Sequence, residues 1–104
     1  MNLTEKIAAL AKLRSGWAGS LSVPPTFRAI DNTNRVAVLL DVSQLTDIRL
    51  APNTEGSITF CYTLDGKRYE WDFFNGGDIT LTTVNSLAQT EFISVEEEKL
   101  EDYV

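Results

Sequence analysis

Glu70 and Asp72 are the residues of this chain best placed to do chemistry. On a strand, positions two apart project from the same face, about 7 Å from one another. Arg68 stands one step further along that face. Two carboxylates so spaced could in principle divide acid and base roles between them, as in glycoside hydrolysis. The same three residues also suit a solvated sheet face on which Arg68 balances Glu70. No pocket-forming residues accompany the pair, so no catalytic residue is assigned. Cys61 falls on the same polar face, where solvent would reach an unpaired thiol. It reads as a small strand residue, because a reactive thiol needs a cationic neighbourhood.

Much chemistry is missing from the sequence. The 104 residues include no histidine and one cysteine, which removes His-based triads and general bases and the usual zinc site. There is no P-loop and no Gly-rich strand-to-helix turn for a dinucleotide, so no cofactor or metal is expected. The lone cysteine fits a reducing cytoplasm. No apolar run is long enough to span a bilayer, and the N-terminal stretch lacks a signal-peptide layout.

The net charge of −6 is unevenly spread. Residues 91–104 hold six acids (Glu91, Glu96, Glu97, Glu98, Glu101, Asp102) and one base (Lys99), a net of −5. Residues 1–90 hold nine acids and eight bases, a net of −1. A segment of this sign repels nucleic acid and suits a basic protein partner; its plainer use is to keep a solvated terminus soluble. The residues expected to touch a partner are therefore Glu96, Glu97, Glu98, Glu101 and Asp102, with Arg68, Glu70 and Asp72 on the sheet.

The elements that must position these groups centre on residues 58–83. Ile58, Phe60, Tyr62 and Leu64 alternate with polar residues. Asp65-Gly66 is a two-residue hairpin signal. It pairs Leu64 with Lys67, Tyr62 with Tyr69, Phe60 with Trp71 and Ile58 with Phe73, which keeps all the large apolar groups on one face. At Asn75-Gly76-Gly77, a two-residue turn would mix the faces. A three-residue loop pairs Phe73 with Ile79 and Trp71 with Leu81, and makes Gly77 left-handed. Upstream, residues 47–51 extend the sheet, with Leu50 opposite Ile58 and Ile48 opposite Phe60. Residues 84–94 are ambiguous, and 89–95 could form a further edge strand.

An apolar sheet face must be covered. Asn2 with Glu5 resembles a capping box and opens a helix to about Arg14, with Leu3, Ile7, Leu10, Leu13 and the core anchor Trp17 on one side. Pro24-Pro25-Thr26 opens a second helix capped near Thr26, with Val23, Phe27, Ile30, Asn34, Ala37, Val38 and Asp41 on one side and Val36 and Leu39 off it. Residues 35–42 divide evenly between helix and strand on pattern alone, being rich in β-branched residues. Ser94 with Glu97 forms a second capping box, for a short, frayed C-terminal helix with Leu100 and Tyr103 as its apolar handles. The expected fold is α+β: one domain, residues 1–104, with two N-terminal helices on one face of a three- to four-stranded antiparallel meander and an acidic C-terminal segment, 91–104.

Gly16-Trp17, Gly19, Pro24-Pro25, Ala29-Ile30, Leu39-Leu40, Pro52, Gly56 and Trp71 stand in an order that resembles a loosely defined group of small bacterial and phage-borne proteins. Their pattern is a short leading helix, a Gly-Trp, a Gly, a Pro-Pro, an Ala-Ile helix and a Gly-bounded strand pair bearing a Trp. The likeness spans roughly residues 10–81. It implies helix rather than strand from Thr26 to about Leu40, and lends no catalytic residue.

Composition and charge point to a non-enzymatic protein-binding module. Small, acidic, site-free chains include inhibitors of basic enzymes, such as immunity proteins, antitoxins and phage anti-defence proteins, an analogy of composition alone. The alternatives are a homo-oligomer, joined through an exposed strand edge or through Val36 and Leu39, and an enzyme using Glu70 and Asp72.

Overall fold

A computed structural model describes residues 2–104. Two helices, α1 (Leu3–Leu10) and α2 (Phe27–Ala37), precede five strands: β1 (Thr46–Pro52), β2 (Ile58–Leu64), β3 (Lys67–Phe73), β4 (Ile79–Val84) and β5 (Thr90–Val95). A 3₁₀ turn at Val42–Gln44 leads into β1, and a 3₁₀ helix, Glu97–Tyr103, follows β5. The strands form one antiparallel sheet in chain order, β1-β2-β3-β4-β5. The fold is thus α+β with five strands, where three or four were expected; Thr90–Val95 completes the meander.

The central hairpins keep the expected register. Phe60 faces Trp71, Tyr62 faces Tyr69, Phe73 faces Ile79 and Trp71 faces Leu81. The Phe74 N–H donates to the Asp78 carbonyl at 2.9 Å across a three-residue loop in which Gly77 has φ +96°. The β1 pairing is corrected by two residues: Leu50 faces Phe60 and Pro52 faces Ile58. The turn is tighter than expected, because the Asn53 N–H bonds the Ser57 carbonyl and draws Pro52 into the strand. An even shift keeps Leu50 on the same face. A bulge between Thr46 and Arg49, with Asp47 at φ +53°, then bends β1.

The core lies between this face and the helices. Ile7, Ala29, Val36, Ile58, Phe60, Trp71, Phe73 and Leu100 are all fully buried. The Trp71 indole N–H donates to the Tyr62 hydroxyl at 3.0 Å, which satisfies the one polar atom the ring carries inside. Gly56, at φ +100°, leaves no room for a side chain against Asn75 and Pro24. Asn75 in turn accepts from the Thr26 N–H (2.9 Å) and, through its carbonyl, from the Thr26 hydroxyl (3.0 Å), and so pins the start of α2 to the sheet turns.

Both helix caps are as expected: the Asn2 side chain accepts from the Glu5 N–H and the Thr26 side chain from the Ala29 N–H. The lengths and faces are not. The α1 helix stops at Leu10, and residues 11–13 continue in tighter i→i−3 bonds. The α2 helix ends at Ala37, so residues 35–42 are neither wholly helix nor strand. Its inward side is Ala29, Ile30, Thr33 and Val36, while Phe27 and Val38 are exposed. The expected stripe is turned by about one residue: Asn32 and Thr33, polar residues off that stripe, are buried through hydrogen bonds to Glu97 and to the Ala29 carbonyl. Val36 in the core cannot serve as an outward oligomer contact. Trp17 is corrected from core anchor to loop clasp: half-buried, it donates from its indole N–H to the Val23 carbonyl at 2.9 Å. The capping box at Ser94 is absent; Ser94 lies in β5, and Glu96, without a side-chain cap bond, precedes the 3₁₀ helix.

Candidate functional site

The C-terminal acids divide into two sets. Leu100 is inserted in the core and brings the 3₁₀ helix down on α2. That docking sets Glu97 and Glu101 against Arg28 and Arg35. Arg28 grips Glu97 in a two-pronged pair at 2.6 and 2.9 Å, and Asn32 adds a third bond at 2.8 Å. Arg35 grips Glu101 in the same way and also donates to the Glu97 carbonyl at 2.8 Å. Bidentate guanidinium–carboxylate pairs are the strong members of their class. The Glu97 carboxyl is pulled down to about 2, first by the hydrogen bond from Arg28 and then by that from Asn32. The Arg35 hydrogen bond holds Glu101 below the ordinary carboxylate range. These two acids belong to the fold, a role their sequence positions did not reveal.

Glu96, Glu98 and Asp102 remain exposed. Among the described residues Glu96 makes only a loose contact with Lys99, 3.4 Å apart and with both side chains about two-thirds in water, which contributes little. Where β5 ends, Glu96 and Glu98 meet Asp78 from the β3–β4 turn. They rim an open groove of about 490 Å³ whose lining carries four carboxylates (Asp78, Glu96, Glu97, Glu98) and one guanidinium, Arg28. Since Arg28 is already bonded to Glu97, the rim is left negative. Asp78 and Arg28 were not singled out from the sequence. A turn acid gains meaning only once β5 pairs beside β4 and brings residues 94–98 back to the Gly76–Gly77 loop.

Arg68, Glu70 and Asp72 do lie on the polar sheet face, opposite the helices. Asp72 accepts from the Thr59 hydroxyl at 2.7 Å. Glu70 lines a dimple of about 160 Å³ with Arg49, Cys61 and Arg68, and Asp72 is outside that lining. The two carboxylates therefore share a face but not a cavity. Cys61 is buried rather than exposed, because Arg49 and Glu70 stand directly opposite it on the neighbouring strands and cover it. Burial, and after it the Glu70 charge, pushes its thiol upward, which disfavours the reactive thiolate. Among the described residues no group of three or more His, Cys, Asp or Glu side chains could hold a metal ion, and no helix is long and apolar enough to cross a membrane.

Comparison with known protein families, with curated proteins and with solved structures found no match.

Proposed function

We propose that this chain is a non-enzymatic protein-binding module whose acidic groove receives a basic segment of a partner protein. The observation that supports this reading is the groove beside β4 and β5, with four carboxylates in its lining and its one guanidinium already paired. A lysine or arginine side chain of a partner entering there meets three carboxylates, Asp78, Glu96 and Glu98, that form no ion pair with an arginine among the described residues. Inhibition of a basic enzyme, as by an immunity protein or antitoxin, is the kind of role this surface suits. Arg68, Glu70 and Asp72, on the open sheet face, extend the contact.

The contact residues are thereby narrowed. Glu96 and Glu98 keep the role expected for them and Asp78 joins them; Asp102 contributes to the surrounding field. Glu97 and Glu101 act indirectly, by holding the segment in place. Rim charges act mainly on association rate and its salt dependence. The test uses a basic partner isolated by affinity capture on the intact chain. The triple variant Asp78→Asn, Glu96→Gln, Glu98→Gln should associate several-fold more slowly at low ionic strength, and the difference should shrink as salt rises. Its melting temperature should match that of the parent. Equal association rates at low salt would overturn the reading.

A further inference from the structure

The two edges of the sheet are built differently. The β1 edge is blunted by its bulge, by Asp47 at positive φ and by Pro52. Bulges, prolines and lysines are the usual protections against edge-to-edge pairing. The β5 edge has no bulge, proline or lysine: Thr90–Val95 is regular along its whole length, pairs on one side among the described residues, and carries one charged residue, Glu91, on the helix-side face.

The direction of its free groups follows from the turn. The Asn85 N–H donates to the Gln89 carbonyl at 3.1 Å, so this pair is hydrogen-bonded and the ladder alternates from it. Glu91, Ile93 and Val95 therefore bond to β4, and Thr90, Phe92 and Ser94 turn their N–H and C=O groups outward. The side chains of these three point to the open sheet face, and Phe92 is 66 % exposed.

We infer that β5 pairs antiparallel with β5 of a second copy of this chain, across a two-fold axis at Phe92. That register is the one in which all the outward groups bond: Phe92 meets Phe92 of the second copy, and Thr90 meets Ser94 on either side. An aromatic pair flanked by two hydroxyl pairs is favourable on one sheet face. On the other face Glu91 lies directly opposite Ile93, and the two Glu91 residues stand diagonally, about 8 Å apart.

The arrangement also keeps the acids beyond β5 apart. Each copy carries −6, most of it beyond Val95. In this register Glu96 lies beside the 85–89 turn of the second copy, which has no charged residue. The two Glu96 positions then stand about 27 Å apart along the joint, well beyond the screening length at ordinary ionic strength. The joint is short, so the dimer is a concentration-dependent one rather than a permanent one. It joins two five-stranded sheets into ten strands with one continuous polar face, and it sets the 85–89 turn of the second copy beside the Ser94–Glu96 side of each acidic groove.

Sedimentation velocity of the full chain over a wide concentration range tests the inference. A reversible dimer is expected, unweakened by added salt, whereas salt weakens the binding of a basic partner. Phe92→Lys sets like charges opposite each other and should weaken self-association by an order of magnitude or more. Its thermal melt should match the parent, since the ring is mostly in water. Register is read by cross-linking. Phe92→Cys brings two thiols opposite at a Cα separation of about 5.5 Å, within disulfide reach. Two Thr90→Cys chains leave theirs about 13 Å apart, while Thr90→Cys mixed with Ser94→Cys restores a bridge. A monomer at every concentration, or Thr90→Cys alone cross-linking as fast as Phe92→Cys, would overturn the inference.

Discussion

Gly77 joins the turn chemistry of the sheet to the arginine that holds the C-terminal segment. Its φ is +96°, and a Cβ there would lie 2.4 Å from the guanidinium carbon of Arg28. Gly77→Val should cost about 1–3 kcal/mol from the backbone alone, plus whatever is lost as Arg28 is displaced from Glu97. Gly76, in open space and without positive φ, supplies the control: Gly76→Ala should be near neutral. Urea melts of the two variants check this, and equal midpoints would contradict the account. The left-handed Gly77 was legible in advance, because only a three-residue loop keeps Phe73 and Ile79 on one face. Arg28 above it was not, since nothing in the sequence says which residues a helix will bring over a distant turn. Cys61 and Trp17 were misjudged for a related reason. Alternation and spacing assign a face, but they do not say whether long neighbours will cover a small side chain or a loop will claim a large one.

The Glu97–Tyr103 helix is the element whose role changed most. Net charge suggested a solvated terminus; two arginine–glutamate pairs and the buried Leu100 make it part of the fold. Its own sequence hides this, because Leu100 and Tyr103 are too few to signal docking and the arginines that receive it lie on α2. The pH dependence follows in sign from the lowered carboxyls. Glu97 falls from 4.5 unfolded to about 2 folded, so the pairing stabilises the native state fully above about 4.5 and is lost as pH falls toward 2. Thermal melts between about pH 5 and about pH 2 should show the parent losing more melting temperature than Glu97→Gln, with Glu101→Gln intermediate. Parallel curves for parent and Glu97→Gln would mean that the pair contributes no net stability. The strands gave a different lesson. β2, β3 and β4 were readable with their register because hairpin turns and a two-residue period specify both. β5 was ambiguous because its outward residues Thr90, Phe92 and Ser94 do not pattern as a buried strand. Residues 35–42 were ambiguous because β-branched residues suit a helix end as well as a strand.

At the scale of the whole molecule, the candidate surface was half legible: the sign of the charge and its segment could be read, but not the division of the acids or the contribution of Asp78. The groove forms only when the β3–β4 turn, the chain after β5 and Arg28 of α2 converge, and such convergence is a property of topology rather than of any one stretch. That topology is unusually simple, since every strand pairs with its neighbour in the chain. Sheet pairings therefore join neighbouring hairpin strands, and the contacts of greatest sequence separation are those that bring the helices and the C-terminal segment together, such as Arg28 with Glu97, 69 positions apart. Chains dominated by local contacts fold quickly, and the closure of a long loop is won last. The meander should thus be largely formed at the folding barrier, while the Glu97–Tyr103 helix docks after it. Leu100→Ala, at about 2–5 kcal/mol of stability, should then appear almost wholly as faster unfolding. Stopped-flow folding and unfolding limbs separate the two cases, and an equal loss on the folding limb would place this segment in the nucleus instead. On this ordering the acidic groove is the last part of the molecule to exist during folding and the first to vanish when it begins to open.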